Sequence, residues 1–418
     1  MKMVGLLDCN NFYVSCECVF DPALYGRPVA VLSNNDGSCI SRSPEFKALN
    51  LPKRIPYYQL KHYAAELGIV FRSSNYCLYG DMSNRVMRIL SSLVPSIEQY
   101  SIDESFFHMD FPADFQYAAF GETIRKRILK WTGIPCGIGF ARTKTLAKIA
   151  NHIGKGVPSG VFVMPDDPLP ILRDLPLTEV WGISWRLEKK LVARGIRNAA
   201  DLAAYDNAAL RREFNVLLAQ SAMELRGVPC IPREDFDGPV RRIAFSRSFC
   251  APTSSEQAIH ESLAHYTAIA AKKLRTLQEA ASCAFIYVHY TAQYDRENRP
   301  GGYCGHVVAF PIPLTEPLSM MKYIRPAVGN VILPGRKAVK TGVVLFELSR
   351  SDAVNGDLFN RPDEKNVAIA AVMDRINARY GRDTLFLAGA GIRRPWNMKR
   401  NFLSPRYTTN WNELPEVK

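Results

Sequence analysis

The first 165 residues alternate short apolar runs with longer amphipathic stretches. The short runs are rich in β-branched and aromatic residues, which predicts strands at 4–8, 28–32, 97–100, 105–109 and 136–141. Two stretches, 113–132 and 143–154, have apolar residues at helical spacing and therefore predict helices. This alternation is typical of an α/β or α+β sheet with helices packed on one side.

The remainder of the chain changes pattern twice. A helical region is predicted at 166–232, because prolines punctuate its entry and apolar residues then recur at helical spacing. After a linker that contains proline and glycine, strand-like runs surround one amphipathic helix, which predicts a compact β-rich unit at 240–350. The last stretch, 351–418, has weaker periodicity and predicts a partly folded module.

Charge and cysteine usage narrow the class of protein. The 418 residues contain 53 Lys and Arg against 40 Asp and Glu, a formal net charge of +13, which favours a polyanionic partner. Ten cysteines occur without a C-x-x-C pair or a zinc-type spacing, so we expect reduced thiols and no structural zinc. No apolar run approaches the ~18 residues that span a bilayer. We therefore expect a cytoplasmic, nucleoid-associated protein without membrane contact.

Two acidic clusters follow strand-like runs that lie far apart in the chain. Asp8 ends the run that begins at residue 4, and Asp103 and Glu104 lie between two further runs. Any one of these acids alone is more often a turn residue or a helix cap. Together at one sheet edge, they could hold two divalent cations about 3.5 to 4 Å apart, as chemistry on phosphates requires.

Three motifs in this region resemble those of the Y-family of translesion DNA polymerases. They are D-x-N-x-F-Y-x-S at 8–15, S-I-D-E at 101–104 and the stretch G-I-G-F-A-R-T-K-T-L-A-K-I-A-N at 137–151. The tail, W-N-M-K-R at 396–400 and L-S-P-R-Y-T-T at 403–409, is similar to the C-terminal segment of the UmuC-type branch. The resemblance spans nearly the whole chain.

This resemblance implies a multidomain α+β fold. It comprises a ferredoxin-like palm at 1–165 with small fingers inserted at about 21–76, and a helix-hairpin-helix thumb at 166–232. A β-rich little finger would follow at 240–350, and a C-terminal UmuC-type partner-binding segment at 351–418. Between 388 and 412, five basic residues and no acid alternate with aromatics, which suits either single-stranded DNA or a docking partner.

The resemblance also implies the catalytic site. Asp8, Asp103 and Glu104 would be catalytic and would bind two Mg²⁺ ions, with the Cys9 carbonyl as a further metal ligand. A nucleotide-binding set is implied as well: Phe12, Tyr13, Lys47 and Lys148. In that set, the ring of Tyr13 would be the steric gate that excludes a 2′-hydroxyl, and the lysines would contact the triphosphate.

Contacts to DNA and to a sliding clamp are the weaker part of the prediction. Gly182 and Ser184 would belong to the phosphate-binding hairpin of the thumb. Lys337 and Lys340 lie in a basic stretch, 322–350, that contains one acid and would bind the DNA backbone. Leu358 and Phe359 match the Leu-Phe anchor of clamp-binding peptides. The glutamine and first aliphatic residue of those peptides are missing here, so we expect weak clamp binding.

We therefore expect an error-prone, template-directed DNA polymerase of the SOS DNA damage response. It would transfer a nucleotide from dNTP to a primer 3′-hydroxyl on primer-template DNA, with a UmuD′-type dimer, a RecA filament and a weakly bound sliding clamp as partners. Three alternatives stay open: a stand-alone polymerase of the DinB branch, a non-catalytic DNA-binding or docking scaffold, and a metal-dependent nucleotidyl cyclase. The UmuC-type tail disfavours the first, the complete acidic trio the second, and the hairpin and nucleotide gate the third.

Overall fold

The computed structural model describes residues 2–52, 55–112, 114–233, 240–291, 302–354, 356 and 359–415. The chain forms two compact units, the first made of Met1–Phe236 with Asn401–Lys418 and the second of Asp237–Arg400. The predicted C-terminal segment at 351–418 is thus divided between the two units. The last residues of the chain return to the unit in which it begins.

The first unit contains two sheets within its described residues. Its strands are β1 (Lys2–Cys9), β2 (Val29–Leu32), β3 (Cys39–Arg42), β4 (Val70–Ser73), β5 (Ser96–Gln99), β6 (Glu104–Asp110), β7 (Cys136–Ala141) and β8 (Val161–Val163). The larger sheet has the order β5-β6-β1-β7-β8, and the smaller one has the order β3-β2-β4. β1 is the central strand of the larger sheet and pairs antiparallel with both β6 and β7. Its residues are almost all buried, which explains its continuous apolar run.

Helices cover these sheets and also form a separate layer. They are α1 (Phe12–Phe20), α2 (Pro44–Ala48), α3 (Tyr57–Leu60), α4 (Tyr76–Ser91), α5 (Tyr117–Thr132), α6 (Lys144–Gly154), α7 (Leu169–Arg173), α8 (Trp185–Val192), α9 (Ala199–Ala204), α10 (Asn207–Glu213) and α11 (Val216–Leu225). α5 begins four residues later than predicted, because Pro112 heads a turn in which the Phe115 amide donates to the Pro112 carbonyl. Residue 113, where that helix was predicted to begin, lies outside the described residues. α7 to α11 make up the predicted helical region.

Close packing of α6 on the sheet depends on Gly139 in β7. A Cβ atom at this position would lie 2.1 Å from the Asn151 amide nitrogen and 2.5 Å from the Ala147 carbonyl oxygen, so no larger residue fits without displacing the helix. The Asn151 side-chain amide then donates to the Leu6 carbonyl at 3.3 Å. α6 is therefore held directly over the central strand.

The second unit is a four-stranded antiparallel sheet with helices. Its elements are β9 (Arg242–Thr253), α12 (Glu256–Thr276), β10 (Glu279–Tyr290), β11 (Tyr303–Leu314), α13 (Pro317–Ala327), β12 (Ala338–Arg350) and α14 (Glu364–Tyr380). The strand order is β11-β10-β12-β9. Alternating residues of β10 are buried, which is the pattern of a sheet with one covered face. The sequence pattern predicted strand-like runs around one amphipathic helix, which corresponds to α12, but it did not predict α13 or α14.

The mixture of sheets and helices in both units confirms the predicted α+β class. None of the helices in the described part of the chain is both long and apolar enough to cross a bilayer.

Candidate active site

The antiparallel pairing of β1 and β6 brings the acidic clusters together. Asp8 lies directly opposite Glu104 in the register of the two strands. The amide of Cys9 donates to the Asp103 carbonyl oxygen at 2.9 Å, so the turn that precedes β6 is fixed to the end of β1. Opposed residues in such a pair have Cα atoms only about 4.5 to 5.5 Å apart. Asp8 thus meets Asp103 and Glu104, about a hundred residues later in the chain, at the edge of the sheet where β1 ends and β6 begins.

Ser101 shapes the turn that carries two of these acids. Its hydroxyl donates to the Asp103 carboxylate and accepts hydrogen bonds from the amides of Asp103 and Glu104, each at 3.2 Å. A serine at the start of a turn commonly bonds the backbone in this way. Within the S-I-D-E motif, Ser101 therefore fixes the turn that carries the two carboxylates.

Two lysines, Lys148 in α6 and Lys155 directly after its last residue, neutralise the acidic edge. The Lys148 ammonium lies 2.6 Å from Glu104 Oε2, and the Lys155 ammonium lies 2.8 Å from Asp8 Oδ2. The sequence predicted a role for Lys148 but not for Lys155. These residues are seven positions apart, which is about two helical turns, so they share one face of the helix. That spacing was the signal that could have revealed the second lysine.

Lys148 is also enclosed by aromatic rings. Its ammonium lies 4.5 Å from the ring centroid of Tyr100, 5.3 Å from that of Trp181 and 5.7 Å from that of Phe106. Cation–π contacts of this kind stabilise the positive charge of an ammonium group that is partly shielded from water. The side chain is 17% exposed, so it remains accessible to an incoming anion.

The carboxylate of Asp8 is electrostatically strained. Burial and, to a smaller extent, the neighbouring Glu104 carboxylate together raise its pKa to about 6, although Lys155 opposes both effects. Crowded carboxylates that repel each other are the hard oxygen donors that Mg²⁺ prefers. The donor set therefore suits magnesium. Across the described ranges, however, no three His, Cys, Asp or Glu side chains are arranged as a metal site, since these carboxylates contact lysines and Ser101 instead.

A stacked pair of tyrosines fixes the predicted steric gate. α1 begins after Asn11, and the ring of Tyr13 in its first turn stacks on Tyr79 of α4, with centroids 4.5 Å apart and planes 16° apart. Tyr76 packs edge-on against the same ring at 6.0 Å. Burial raises the pKa of Tyr13 to about 12, so its phenol is neutral. Phe12, the other aromatic of the motif, is buried in the core.

Lys47 reaches the start of the same helix. It lies in α2, and its ammonium donates to the side-chain oxygen of Asn11. The Ser41 hydroxyl donates to the Asn11 carbonyl at 3.1 Å. The structure therefore places the predicted basic residue next to the turn that precedes Tyr13.

The predicted DNA-contacting residues of the helical region lie at the start of α8. Gly182 has φ of 87°, a conformation that favours glycine, and space around its Cβ position is open. Ser184 caps α8, since its hydroxyl accepts from the Leu187 amide at 3.4 Å. The geometry is compatible with phosphate binding, which stays a prediction for both residues.

The remaining predicted contacts are in the second unit. Lys337 is exposed just before β12, and Lys340 is half-buried within that strand. Phe359 is 89% exposed, whereas its predicted partner in clamp binding, Leu358, lies outside the described residues. A metal contact from the Cys9 carbonyl likewise stays a prediction.

Sequence comparison identifies relatives that match the chain along its length. A family model described as the impB/mucB/samB family matches residues 7–152, and a domain of unknown function (DUF4113) matches residues 368–417. Protein UmuC of Salmonella typhimurium (strain LT2) is 38% identical over 426 residues, which cover 100% of both chains. Protein ImpB of Salmonella typhimurium is 36% identical over 99% of each chain. DNA polymerase IV 1 of Bacillus subtilis (strain 168) is 26% identical over 91% of each.

Among solved structures, the Y-family DNA polymerase chimera Dbh-Dpo4(243-245)-Dbh has a similar fold. The TM-score is 0.65, and the match covers 82% of this chain and 98% of the chimera. Sequence identity between the two is 20%, so this match supports the fold alone.

Proposed function

The chain belongs to the impB/mucB/samB family of Y-family DNA polymerases, and from that premise we propose that it performs error-prone translesion synthesis at the acidic edge formed by β1 and β6. The observation that carries this proposal is the position of Asp8 directly opposite Glu104, next to Asp103. The reaction is template-directed transfer of a nucleotide from dNTP to a primer 3′-hydroxyl.

The three acids have a common task in this reaction. Asp8, Asp103 and Glu104 would hold two Mg²⁺ ions, which supply Lewis-acid activation of the hydroxyl and charge neutralisation at the triphosphate. The raised pKa of Asp8 supports this role, since a divalent cation would relieve the repulsion that burial intensifies. The site is thus suited to bind cations and phosphates together.

Lys148 would then exchange one partner for another. Lys148 and Lys155 bond to carboxylates in the protein alone. When triphosphate enters, we expect Lys148 to leave Glu104 and bind phosphate oxygens, because ammonium groups pair with phosphate as readily as with carboxylate. Lys47, which lies next to the start of α1, would also bind the triphosphate. Lys148 would thus have a negatively charged partner both in the protein alone and with the nucleotide bound.

Tyr13 would set the choice of sugar. Its ring is held flat by Tyr79, so a 2′-hydroxyl on the incoming nucleotide would collide with it. A discrimination of ~2 to 4 kcal/mol corresponds to about 30- to 1000-fold. Polymerisation would therefore favour dNTP over rNTP without any hydrogen bond to the missing hydroxyl.

Binding of DNA and partners completes the proposal. The hairpin at Gly182 and Ser184 and the basic residues Lys337 and Lys340 would bind the DNA backbone, because exposed amides and ammonium groups suit phosphate. A UmuD′-type dimer and a RecA filament would act as accessory partners. A sliding clamp would bind weakly through Leu358 and Phe359.

Primer extension across an abasic template tests the function. The full chain would be assayed with Mg²⁺ in the presence and absence of activated RecA and the UmuD′-type partner. We expect synthesis past the lesion only when the accessory proteins are present. Robust synthesis by the chain alone would instead indicate a stand-alone enzyme, and inactivity under every condition would contradict the proposed function.

A further inference from the structure

The C-terminal stretch 401–407, which we term the docked tail, lies against the smaller sheet of the first unit. The amide of Ser73, the last residue of β4, donates to the Phe402 carbonyl at 2.9 Å, and the Phe402 amide donates to the Ser73 hydroxyl at 3.0 Å. The Phe402 ring packs against Tyr57 and Phe71, with centroids 5.4 and 6.0 Å away. Backbone and ring contacts thus anchor the tail to residues more than three hundred positions earlier.

The docked tail also completes the surroundings of a buried acid. Glu17 in α1 is 1% exposed, and its Oε1 accepts hydrogen bonds from the Tyr79 hydroxyl at 2.6 Å and from the Ser404 hydroxyl at 3.0 Å. The Asn75 side-chain amide donates in turn to the Ser404 hydroxyl at 3.0 Å. A carboxylate at this depth is costly unless donors surround it. The Ser404 hydroxyl is therefore one of the hydrogen-bond donors that stabilise the buried Glu17 carboxylate.

This acid lies on the same helix as the steric gate. Tyr13 and Glu17 are four residues apart on α1, so they share one face, and Phe20 continues that face one turn later. Tyr79 connects the first two, since its ring stacks on Tyr13 while its hydroxyl bonds Glu17. Phe20 in turn stacks on Tyr407 of the docked tail, with centroids 4.9 Å apart and planes 7° apart. The docked tail thus contacts α1 at two residues, Glu17 and Phe20.

We propose that the docked tail is a positioning element for sugar selection: Ser404, acting through Glu17 and Tyr79, holds the Tyr13 ring in the orientation that excludes a 2′-hydroxyl. This inference rests on the proposed polymerase function and on the gate role of Tyr13. Ser404 itself touches neither nucleotide nor metal in this proposal. It is a positioning residue.

The proposal predicts a selective change in substrate use. If Ser404 loses its hydroxyl, Glu17 loses one of its hydrogen-bond donors and no longer holds the Tyr79 hydroxyl in a fixed position. The Tyr13 ring, which stacks on Tyr79, can then tilt and admit the larger sugar. The smaller deoxyribose fits in either case. We therefore expect Ser404→Ala to raise kcat/KM for rNTP three- to tenfold, while kcat/KM for dNTP stays within about twofold.

Single-nucleotide incorporation opposite an undamaged template tests this expectation with the full chain and its accessory proteins. The variants are Ser404→Ala and Tyr79→Phe, each of which removes one hydrogen bond to Glu17, and Tyr13→Ala, which removes the gate. Ser91→Ala is the matched control, because that exposed hydroxyl donates, within the described part of the chain, to the Arg88 carbonyl of its own helix. Tyr79→Phe preserves the stacked ring and provides a second variant if Ser404→Ala does not fold.

The combination of Ser404→Ala with Tyr13→Ala decides the route of the effect. If Ser404 acts through the gate, the double variant has the same dNTP-to-rNTP ratio as Tyr13→Ala alone. A fall of both efficiencies in equal proportion, or an effect of Ser404→Ala that persists without the Tyr13 ring, would overturn the inference. Absence of dNTP incorporation by the wild-type protein would instead refute the proposed function itself.

Discussion

Asp8 and Glu104 face each other across the antiparallel pairing of β1 and β6, and each carboxylate is bonded to a lysine, one in α6 and one directly after it. Their proximity raises the pKa of Asp8 in addition to the larger effect of burial. The folded protein therefore disfavours the ionised form of the Asp8 carboxylate, although this is the form that would bind Mg²⁺ in the proposed reaction. Functional sites commonly store such strain, and removing it often stabilises the protein at the expense of activity.

Asp8→Asn is expected to stabilise the protein at neutral pH. The pKa of Asp8 rises from 3.8 to about 6 on folding, so the native state binds its proton more readily than the unfolded state does. Wild-type stability consequently falls as pH rises from roughly 4 to 6. Asp8→Asn has no carboxylate to ionise, so its stability should not fall in this way as the pH rises. Its free energy of unfolding should exceed that of the wild type by about 1 to 3 kcal/mol at pH 8 and differ little from it near pH 4.

Urea unfolding without divalent cations, at a series of pH values, measures this difference. Asp166→Asn is the control, since that side chain is 79% exposed and should show no comparable effect. A variant that is less stable than the wild type at pH 8 would show that Asp8 is not under electrostatic strain.

Gly139→Ala is expected to dislodge α6. The added Cβ would collide with backbone atoms of Asn151 and Ala147, which cannot move without displacing the helix that carries Lys148 and is followed directly by Lys155. We expect a loss of about 3 kcal/mol or more in the free energy of unfolding, together with loss of activity. Gly80→Ala is the matched control: this helical glycine has open space around it, so the change should be neutral or stabilising by up to about 1 kcal/mol. Equal unfolding midpoints for the two variants would contradict this explanation.

Lys148→Ala is expected to weaken nucleotide binding. Its ammonium is poised beside Glu104 within an aromatic enclosure, and we expect it to bind the triphosphate. Steady-state incorporation should show KM for dNTP raised about tenfold or more, which corresponds to ~1.4 kcal/mol, with DNA affinity nearly unchanged. Lys126→Ala controls for the loss of a lysine, because that side chain is 79% exposed on α5. An unchanged KM would remove Lys148 from the nucleotide site.

Phe359→Ala is expected to abolish clamp binding without affecting folding. The side chain is 89% exposed, so its removal should change the free energy of unfolding by less than about 0.5 kcal/mol. Titration of the full chain against the sliding clamp, with Trp411→Ala as an equally exposed aromatic control, measures the effect. Identical affinities for wild type and Phe359→Ala would exclude this segment as the clamp-binding site.

Periodicity in the sequence predicted the larger sheet better than the smaller one. β7 has the bounds that its apolar run predicted, because every residue in it is buried and the pattern leaves no ambiguity. In the smaller sheet only β2 was predicted, because its four residues are all apolar and buried, whereas β3 and β4 contain polar residues that interrupt the apolar run. α14 was missed because only Ala370 in it is buried, so the helix has little apolar periodicity.

The candidate site shows a similar division between local and long-range information. The acids and Tyr13 could be predicted because they belong to short contiguous motifs. The docking of Ser404 on Glu17 could not, since it depends on the return of the chain across more than three hundred residues. No local pattern encodes such a contact.

The measurement that tests the acidic site most directly is primer extension by Asp103→Asn with Mg²⁺ and the accessory proteins. Asp110→Asn, at the opposite end of β6, is the matched control. We expect the rate of synthesis by Asp103→Asn to fall by about a thousandfold or more, because the substitution removes a carboxylate ligand of the metal ions. Its affinity for primer-template DNA should stay within about threefold of the wild type, because the contacts to the DNA backbone are kept. The control should remain active. Retained synthesis by Asp103→Asn would contradict the assignment of the catalytic carboxylates.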